Sequence, residues 1–267
     1  MLEDNKPRLQ VIKSRQNDFY KQLKSYQLAK YRKRDNCLVA EGDKLYREAA
    51  STLPLRYTVV SESYLAAHPQ LLDEHSSLAE AGLEQGRLSI FATDLFESVS
   101  ELKTSQGILG VFEQPTAVID VADQQRVLML EDMQDPKNLG SIVRSAHALG
   151  YGAVFLAGAC ASPFSPKAIR ASMGSVFHVP LLSVDLQQQI SELKAADFTI
   201  VGTALNGDAD ARKTDKLALL IGNEGSGLSA GAQELCDNLF TIPMHNKAES
   251  LNAAVASGIA MYIFNSA

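Results

Sequence analysis

Cysteine is scarce in this chain. Cys37, Cys160 and Cys236 are odd in number and widely spaced, which excludes a disulfide framework and a C-x-x-C pair and fits a reducing compartment, the cytoplasm. Long apolar runs are also missing. None reaches the roughly 18 residues of a membrane span. The charged start Met1-Leu2-Glu3-Asp4-Asn5-Lys6 has no apolar stretch behind it, so no secretory signal is expected. There is no H-E-x-x-H and no dinucleotide G-x-G-x-x-G, which argues against the corresponding zinc-protease and Rossmann chemistries. The histidines, at 68, 75, 147, 178 and 245, are scattered, and no metal site is expected.

What is present is an ordinary globular composition, 46% hydrophobic and 21% charged over 267 residues, enough for about two domains with cores. Charge is unevenly placed. Residues 1–34 carry ten Lys/Arg against three acids, so the remainder sums to −13 within a net charge of −6. A basic arm on an acidic body suggests a polyanionic partner, although a solvated helix face can be basic for no such reason.

Residues 14–33 place Phe19, Leu23, Tyr26 and Lys30 at helical spacing, with Ser14 as the expected N-cap. Short apolar runs at 37–40, 55–60, 88–92 and 107–112 read as strands, and 42–50 as a helix. Together they make a small α/β domain over residues 1–113. A polar stretch opened by Pro115, residues 114–126, reads as a linker. Over 127–267, strands at 127–130, 153–156, 198–202, 217–221 and 239–242 alternate with helical stretches that include 139–149 and 251–264. Apolar strands in such alternation predict a mostly parallel sheet covered on both faces, with ligands at the carboxyl ends of its strands.

Three segments of this second domain could carry chemistry. The first runs from Asp135 to Arg144. Asn138 can cap the following helix, Gly140 allows a backbone or a ligand to come close, and Arg144 interrupts the apolar stripe. Alone, these are a cap and a surface charge. The second is Ile221-Gly222-Asn223-Glu224-Gly225-Ser226-Gly227-Leu228, a buried strand entering a glycine-rich loop. It lacks the Lys-Ser/Thr of a phosphate cradle, which leaves a turn or a wrap around a neutral or cationic ligand. The third, Ile242-Pro243-Met244 to Gly258, passes through a polar loop into a helix of small residues that Ser250 can cap, with Asn252 in its first turn.

Taken in order, Asn138-Leu139-Gly140-Ser141-Ile142-Val143-Arg144, the segment 221–228, and Ile242-Pro243-Met244 with Glu249-Ser250-Leu251-Asn252 resemble the three motifs of the SpoU (TrmH-like) RNA 2′-O-ribose methyltransferases of the SPOUT class. The segment 169–175 resembles the stretch linking the first two motifs. The first domain is similar to the family's L30e-like substrate-binding domain through Leu38-Val39-Ala40-Glu41-Gly42, Gln106-Gly107-Ile108-Leu109 and the basic helix.

The resemblance implies a SPOUT methyltransferase domain over 127–267 with a deep trefoil knot, and S-adenosylmethionine as cofactor. It implies cofactor contacts at Thr203, Ala204, Ile221, Gly222, Asn223, Gly225, Ile242, Pro243, Met244, Leu251 and Ala253. Asn138, Arg144, Glu224, Ser250 and Asn252 match its catalytic positions. Asn138, Ser250 and Asn252 would orient the ribose or Arg144, and Glu224 would orient Arg144 or the cofactor. Arg15, Lys21, Lys24, Lys30, Arg32, Lys33 and Arg34 would form an RNA-binding face. A homodimer with sites at its interface follows, and ribosomal RNA is favoured over transfer RNA as substrate. The competing readings are a tRNA 2′-O-methyltransferase, a non-catalytic RNA-binding protein that keeps the fold, and a nucleotide enzyme without RNA. Two departures stand out. Asn246 occupies a position where the family commonly has glycine, and Ala253-Ala254 replaces a more usual Val-Ser pair.

Overall fold

The computed structural model describes residues 11–72, 87–209, 214–244 and 250–266. The chain divides into two compact units, Met1–Pro115 and Thr116–Ala267.

The first unit is built on strands β1 (Val11–Ile12), β2 (Cys37–Glu41), β3 (Leu55–Ser61), β4 (Arg87–Phe91) and β5 (Ile108–Glu113) in the order β1-β4-β3-β5-β2. Strands β1, β4 and β3 run parallel, and β5 is antiparallel to both β3 and β2. Cys37, Val59, Phe91 and Val111 from the sheet pack with Tyr20, Leu23 and Tyr26. The single helix expected over 14–33 is two helices, α1 (Asp18–Ser25) and α2 (Ala29–Arg34). Asn17 rather than Ser14 caps the first, accepting from Tyr20 N at 3.1 Å, while Ser14 Oγ accepts from Gln16 N. A helix end leaves carbonyls without intrahelical partners. Here the Arg32 guanidinium turns inward and donates to the Tyr26 carbonyl. Three more helices complete the described part of the unit: α3 (Asp43–Ala50), α4 (Glu62–Ala67) and α5 (Thr93–Val99).

In the second unit, strands β6 (Arg126–Glu131), β7 (Val154–Ala157), β8 (Leu181–Val184), β9 (Thr199–Asp208), β10 (Leu217–Ile221) and β11 (Asn238–Phe240) form one sheet in the order β11-β9-β10-β6-β7-β8. Every pairing among them is parallel, as the apolar strands predicted. Edge strand β8 escaped the sequence reading because it is only four residues long and its apolar stretch is broken by the exposed Ser183. Helices α6 (Pro136–Ala148), α7 (Pro166–Ser172), α8 (Leu186–Ala195), α9 (Ala230–Leu235) and α10 (Ala253–Ser266) are the α-helices of its described residues. A Cβ on Gly140 of α6 would stand 2.4 Å from the Ala168 carbonyl oxygen of α7. What approaches that glycine is therefore a neighbouring backbone, not a ligand.

The chain advances from β6 to β7 and β8 on one side and places β10, β9 and β11 on the other. The order therefore reverses between β6 and β10, where open α/β sheets bind ligands beyond the carboxyl ends of their strands. Within the stretch expected as a linker, residues from 116 onward belong to the second unit. Ile119 and Val121 pack on its core, and Lys216 Nζ donates to the Ala122 and Ala196 carbonyls at 3.0 and 3.2 Å. No helix among the described residues is long and apolar enough to cross a membrane.

Candidate active site

Strand β6 ends at Glu131, and Asp132 turns the chain out of the sheet with a left-handed φ of 51°. Asp132 Oδ1 accepts from Ala159 N at 2.6 Å, which secures that turn. The following loop delivers the chain to α6. Pro136 begins the helix, and Asp135 caps it by accepting from Lys137 N at 2.8 Å. The cap expected at Asn138 thus lies three residues earlier. Asn138 sits inside the first turn, where its amide is available for other partners.

Those partners come from the other two motifs. Asn138 Nδ2 donates to Glu224 Oε1 at 3.3 Å, and Asn138 Oδ1 accepts from Asn252 Nδ2 at 3.0 Å. Asn252 Oδ1 in turn accepts from Ala254 N and Val255 N at 2.9 and 3.3 Å. Asn252 therefore caps α10 in place of Ser250, which lies exposed on the wall of a cavity. The result is a one-directional chain: carboxylate, amide, amide, helix N-terminus. Each amide has its nitrogen and oxygen assigned by its neighbours.

Glu224 also accepts from Asp135 N at 2.9 Å and Gln134 N at 3.3 Å. Partial burial works to raise the pKa of this carboxyl. Hydrogen bonds from the Asp135, Glu224 and Gln134 backbones and from the Asn138 amide outweigh it and hold the group below its ordinary value. Glu224 is thus an ionised anchor that ties the glycine-rich loop to the entry of α6. The alternative expectation, that it orients Arg144, is not met. Arg144 is exposed on α6 and has no hydrogen-bond or ion-pair partner among the described residues.

The glycine-rich loop closes on itself. Asn223 and Gly227 exchange backbone hydrogen bonds, both at 3.0 Å, and Gly227 has φ 69°. A Cβ on Gly222 would stand 2.2 Å from the Gly227 carbonyl carbon. Asn223 Oδ1 accepts from Gly225 N and Ser226 N, and its Nδ2 donates to the Asp132 carbonyl at 2.8 Å. Two glycines are thus demanded by the turn itself, while Gly225 has room around it.

Beside this loop lies a cavity of about 340 Å³. Of the expected cofactor contacts, Thr203, Ala204, Ile221, Gly222, Asn223, Gly225, Ile242, Met244, Leu251 and Ala253 line it, together with Glu224 and Ser250. Pro243 is exposed and does not. Asn138, Arg144 and Asn252 stand outside its walls. The sequence reading missed Leu205, Asn206, Gln233 and Phe240. Strand β9 runs to Asp208, six residues past the expected end, and its polar exit gave no apolar signal. No Lys or Arg lines the cavity among the described residues. The departure at Asn246, like His245 and Glu249, lies outside the described residues, as do His75, Lys6 and Arg8.

In the first unit, Arg15, Lys21, Lys30, Lys33 and Arg34 are exposed as expected for a solvent-facing basic surface. Arg34 pairs with Asp35 through two bonds of 2.6 and 2.9 Å. Lys24 is half-buried and donates to the Ser98 carbonyl. Arg32 departs from the expected face. It is buried at 6% exposure, held by the Tyr26 carbonyl, and unavailable to a phosphate. Tyr31, which the sequence reading did not single out, has the Lys30 ammonium 4.8 Å and the Arg34 guanidinium 5.1 Å from its ring centre.

Comparison with known proteins agrees with this geometry. Residues 125–262 match the model of the SpoU rRNA Methylase family, and residues 17–110 match that of the MRM3-like substrate binding domain. The chain is 33% identical over 258 residues to the 23S rRNA (guanosine(2553)-2′-O)-methyltransferase RlmP of Bacillus subtilis, covering 95% of this chain and 98% of that one. Among solved structures it is similar to the AdoMet-bound rRNA methyltransferase of Sinorhizobium meliloti, with TM-score 0.82, 28% identity, and 95% and 96% of the two chains covered. It is also similar to the SpoU methyltransferase AviRb of Streptomyces viridochromogenes in complex with AdoMet, with TM-score 0.80, 28% identity, and 94% and 97% covered.

Proposed function

The chain belongs to the SpoU rRNA methylase family, and from that premise we propose that it methylates a ribose 2′-oxygen of ribosomal RNA, using S-adenosylmethionine. The observation that carries the reading is the chain Glu224–Asn138–Asn252, which joins all three motifs at the edge of the cavity. The cavity suits this cofactor. Its volume of about 340 Å³ lies within the range of small-ligand sites. Its walls offer apolar side chains and loop backbone, a carboxylate at Glu224, and no described Lys or Arg to repel a cationic ligand.

Thr203, Ala204, Ile221 to Gly225, Ile242, Met244 and Leu251 would hold the cofactor, which supplies an electrophilic methyl group on a sulfonium. The protein's own part is to hold the acceptor ribose and manage its charge. Asn138 Oδ1 has a second lone pair that can accept from the 2′-hydroxyl. Arg144 is always protonated and therefore a poor base. Its exposed guanidinium suits clamping a phosphate and stabilising negative charge as it develops on the 2′-oxygen. Ser250, on the cavity wall, would hydrogen-bond the ribose.

The wider family reading also enters this proposal. The second unit adopts the deep trefoil knot, with segment 221–228 and the residues Ile242, Met244, Ser250 and Leu251 folded against one cavity. Two chains pair through α10, whose Val255 and Tyr262 are 51% and 63% exposed. The partner chain then completes the surroundings of Arg144. The first unit is the RNA-binding domain, and the protein works in the cytoplasm. Incubating purified protein with unmodified ribosomal RNA and labelled S-adenosylmethionine, then mapping ribose methylation, tests the reaction. Methylation of one ribose is expected. Incorporation into transfer RNA alone, or into none, overturns the substrate.

A further inference from the structure

Glu131 lies outside the cavity and outside the three motifs. It is one of only two acids buried among the described residues, at 8% exposure, and no cation lies within ion-pair distance of it among them. Burying a carboxylate without a cation is costly, and an apolar or amide residue at the end of a central strand would cost less. Both Glu131 oxygens are used on one residue 98 positions away. Oε2 accepts from Ser229 N at 2.9 Å and Oε1 from Ser229 Oγ at 2.7 Å. With its hydroxyl hydrogen given to Glu131, Ser229 Oγ turns a lone pair to Ala232 N at 3.1 Å and so caps α9. The next residue on that helix, Gln233, donates to the Leu228 carbonyl at 3.0 Å, and both Gln233 and Leu228 line the cavity.

The other end of the same loop is held by the residue that follows β6. Asn223 Nδ2 donates to the Asp132 carbonyl. Glu131 and Asp132 therefore grip the stretch Asn223–Ser229 at both ends, across the boundary between β6 and β10 where the strand order reverses.

We infer that Glu131 is a positioning residue for cofactor binding, acting through Ser229 to hold the glycine-rich loop and Gln233 in their binding arrangement before the ligand arrives. The inference rests on the assignment of the cavity to S-adenosylmethionine. Preorganisation of this kind increases affinity by removing the entropy cost of ordering the loop on binding.

The test is calorimetric titration of the full-length protein with S-adenosylmethionine, with denaturant unfolding measured in parallel. Glu131→Ala and Ser229→Ala are each expected to weaken binding by about tenfold, the scale of a lost charge-assisted hydrogen bond. The double variant is expected to lose no more than either single one. Glu131→Gln keeps one oxygen acceptor and should recover part of the loss, which also covers the case in which Glu131→Ala does not fold. In turnover assays the loss should appear in KM for the cofactor, with kcat at saturation within about twofold of wild type. Unchanged affinity in a folded Glu131→Ala or Glu131→Gln protein, or losses that multiply in the double variant, overturns the inference while leaving the cofactor assignment intact. Failure of the wild-type protein to bind S-adenosylmethionine overturns the assignment, and the role of Glu131 with it.

Discussion

Asn252 donates its side-chain amide to Asn138 Oδ1 across 3.0 Å, joining two residues 114 positions apart in sequence. The same side chain caps α10 through its oxygen. One residue thus serves a helix with one atom and the candidate active site with the other, and the two roles can be separated by substitution.

Asn252→Asp keeps the capping oxygen and removes the donor to Asn138. Its melting temperature is expected to stay near wild type, while methyl transfer falls at least about tenfold, or ~1.4 kcal/mol in the barrier. Asn252→Ala loses both roles and should also lose about 0.5–2 kcal/mol of stability, the usual cost of a missing N-cap. Thermal melts beside initial rates read the two effects. Equal rates in wild type and Asn252→Asp would show the Asn138 contact to be idle.

Gly222→Ala forces a methyl group against the Gly227 backbone, where no flexible side chain can yield. The loop must open, and S-adenosylmethionine affinity is expected to drop more than about tenfold. Gly225→Ala meets only the Asn223 side-chain oxygen, at 3.6 Å. Its unfolding free energy should stay within about 0.5 kcal/mol of wild type. Denaturant melts and titration calorimetry distinguish the two.

The Glu224 carboxyl titrates below its ordinary value of 4.5. A group whose pKa is lowered by folding contributes stability that is fully present above the unfolded value and lost as pH falls through the folded one. The stability difference between wild type and Glu224→Gln should therefore be constant near neutral pH. It should begin to shrink near 4.5 and settle at a smaller value below the folded pKa. Denaturant unfolding at stepped pH measures it, and a difference that widened in acid would contradict the assigned hydrogen bonds.

Arg144→Ala should abolish methyl transfer with little change in S-adenosylmethionine binding, because Arg144 does not line the cavity. Near-normal turnover would remove Arg144 from the reaction.

Arg32 and Lys33 are adjacent basic residues with opposite expected phenotypes. Arg32→Ala strands the Tyr26 carbonyl and should destabilise the protein by about 1–3 kcal/mol. Lys33→Ala should leave stability within about 0.5 kcal/mol while reducing the salt dependence of RNA binding by about one counterion. Unfolding curves and RNA titrations at several salt concentrations check both.

These contrasts mark what was legible in the chain. The apolar runs at 127–130 and 217–221 announced buried parallel strands because a strand covered on both faces must be apolar throughout. The second and third motifs supply much of the cavity wall, since loop glycines and small helix-start residues leave a local signature, whereas the exit of β9, Gln233 and Phe240 gave none. Caps were another matter. Ser14 or Asn17, Asn138 or Asp135, and Ser250 or Asn252 are competing hydrogen-bonding residues within a few positions of each other. Local propensity does not rank such neighbours; long-range partners engage Asn138 and Asn252, while Asn17 and Ser14 differ only in local bonds. Composition likewise could not separate Arg32 from Lys33, because burial of one guanidinium depends on where a helix breaks over the sheet.

The sequence by itself determined the kinds of elements, the inventory of polar groups at their ends, and the family. Only the tertiary structure decided that Glu224, Asn138 and Asn252 face one another. Hydrophobic periodicity is a property of near neighbours along the chain. It carries no record of which strands lie side by side, and the adjacency of β6 and β10 is what brings the glycine-rich loop to the entry of α6.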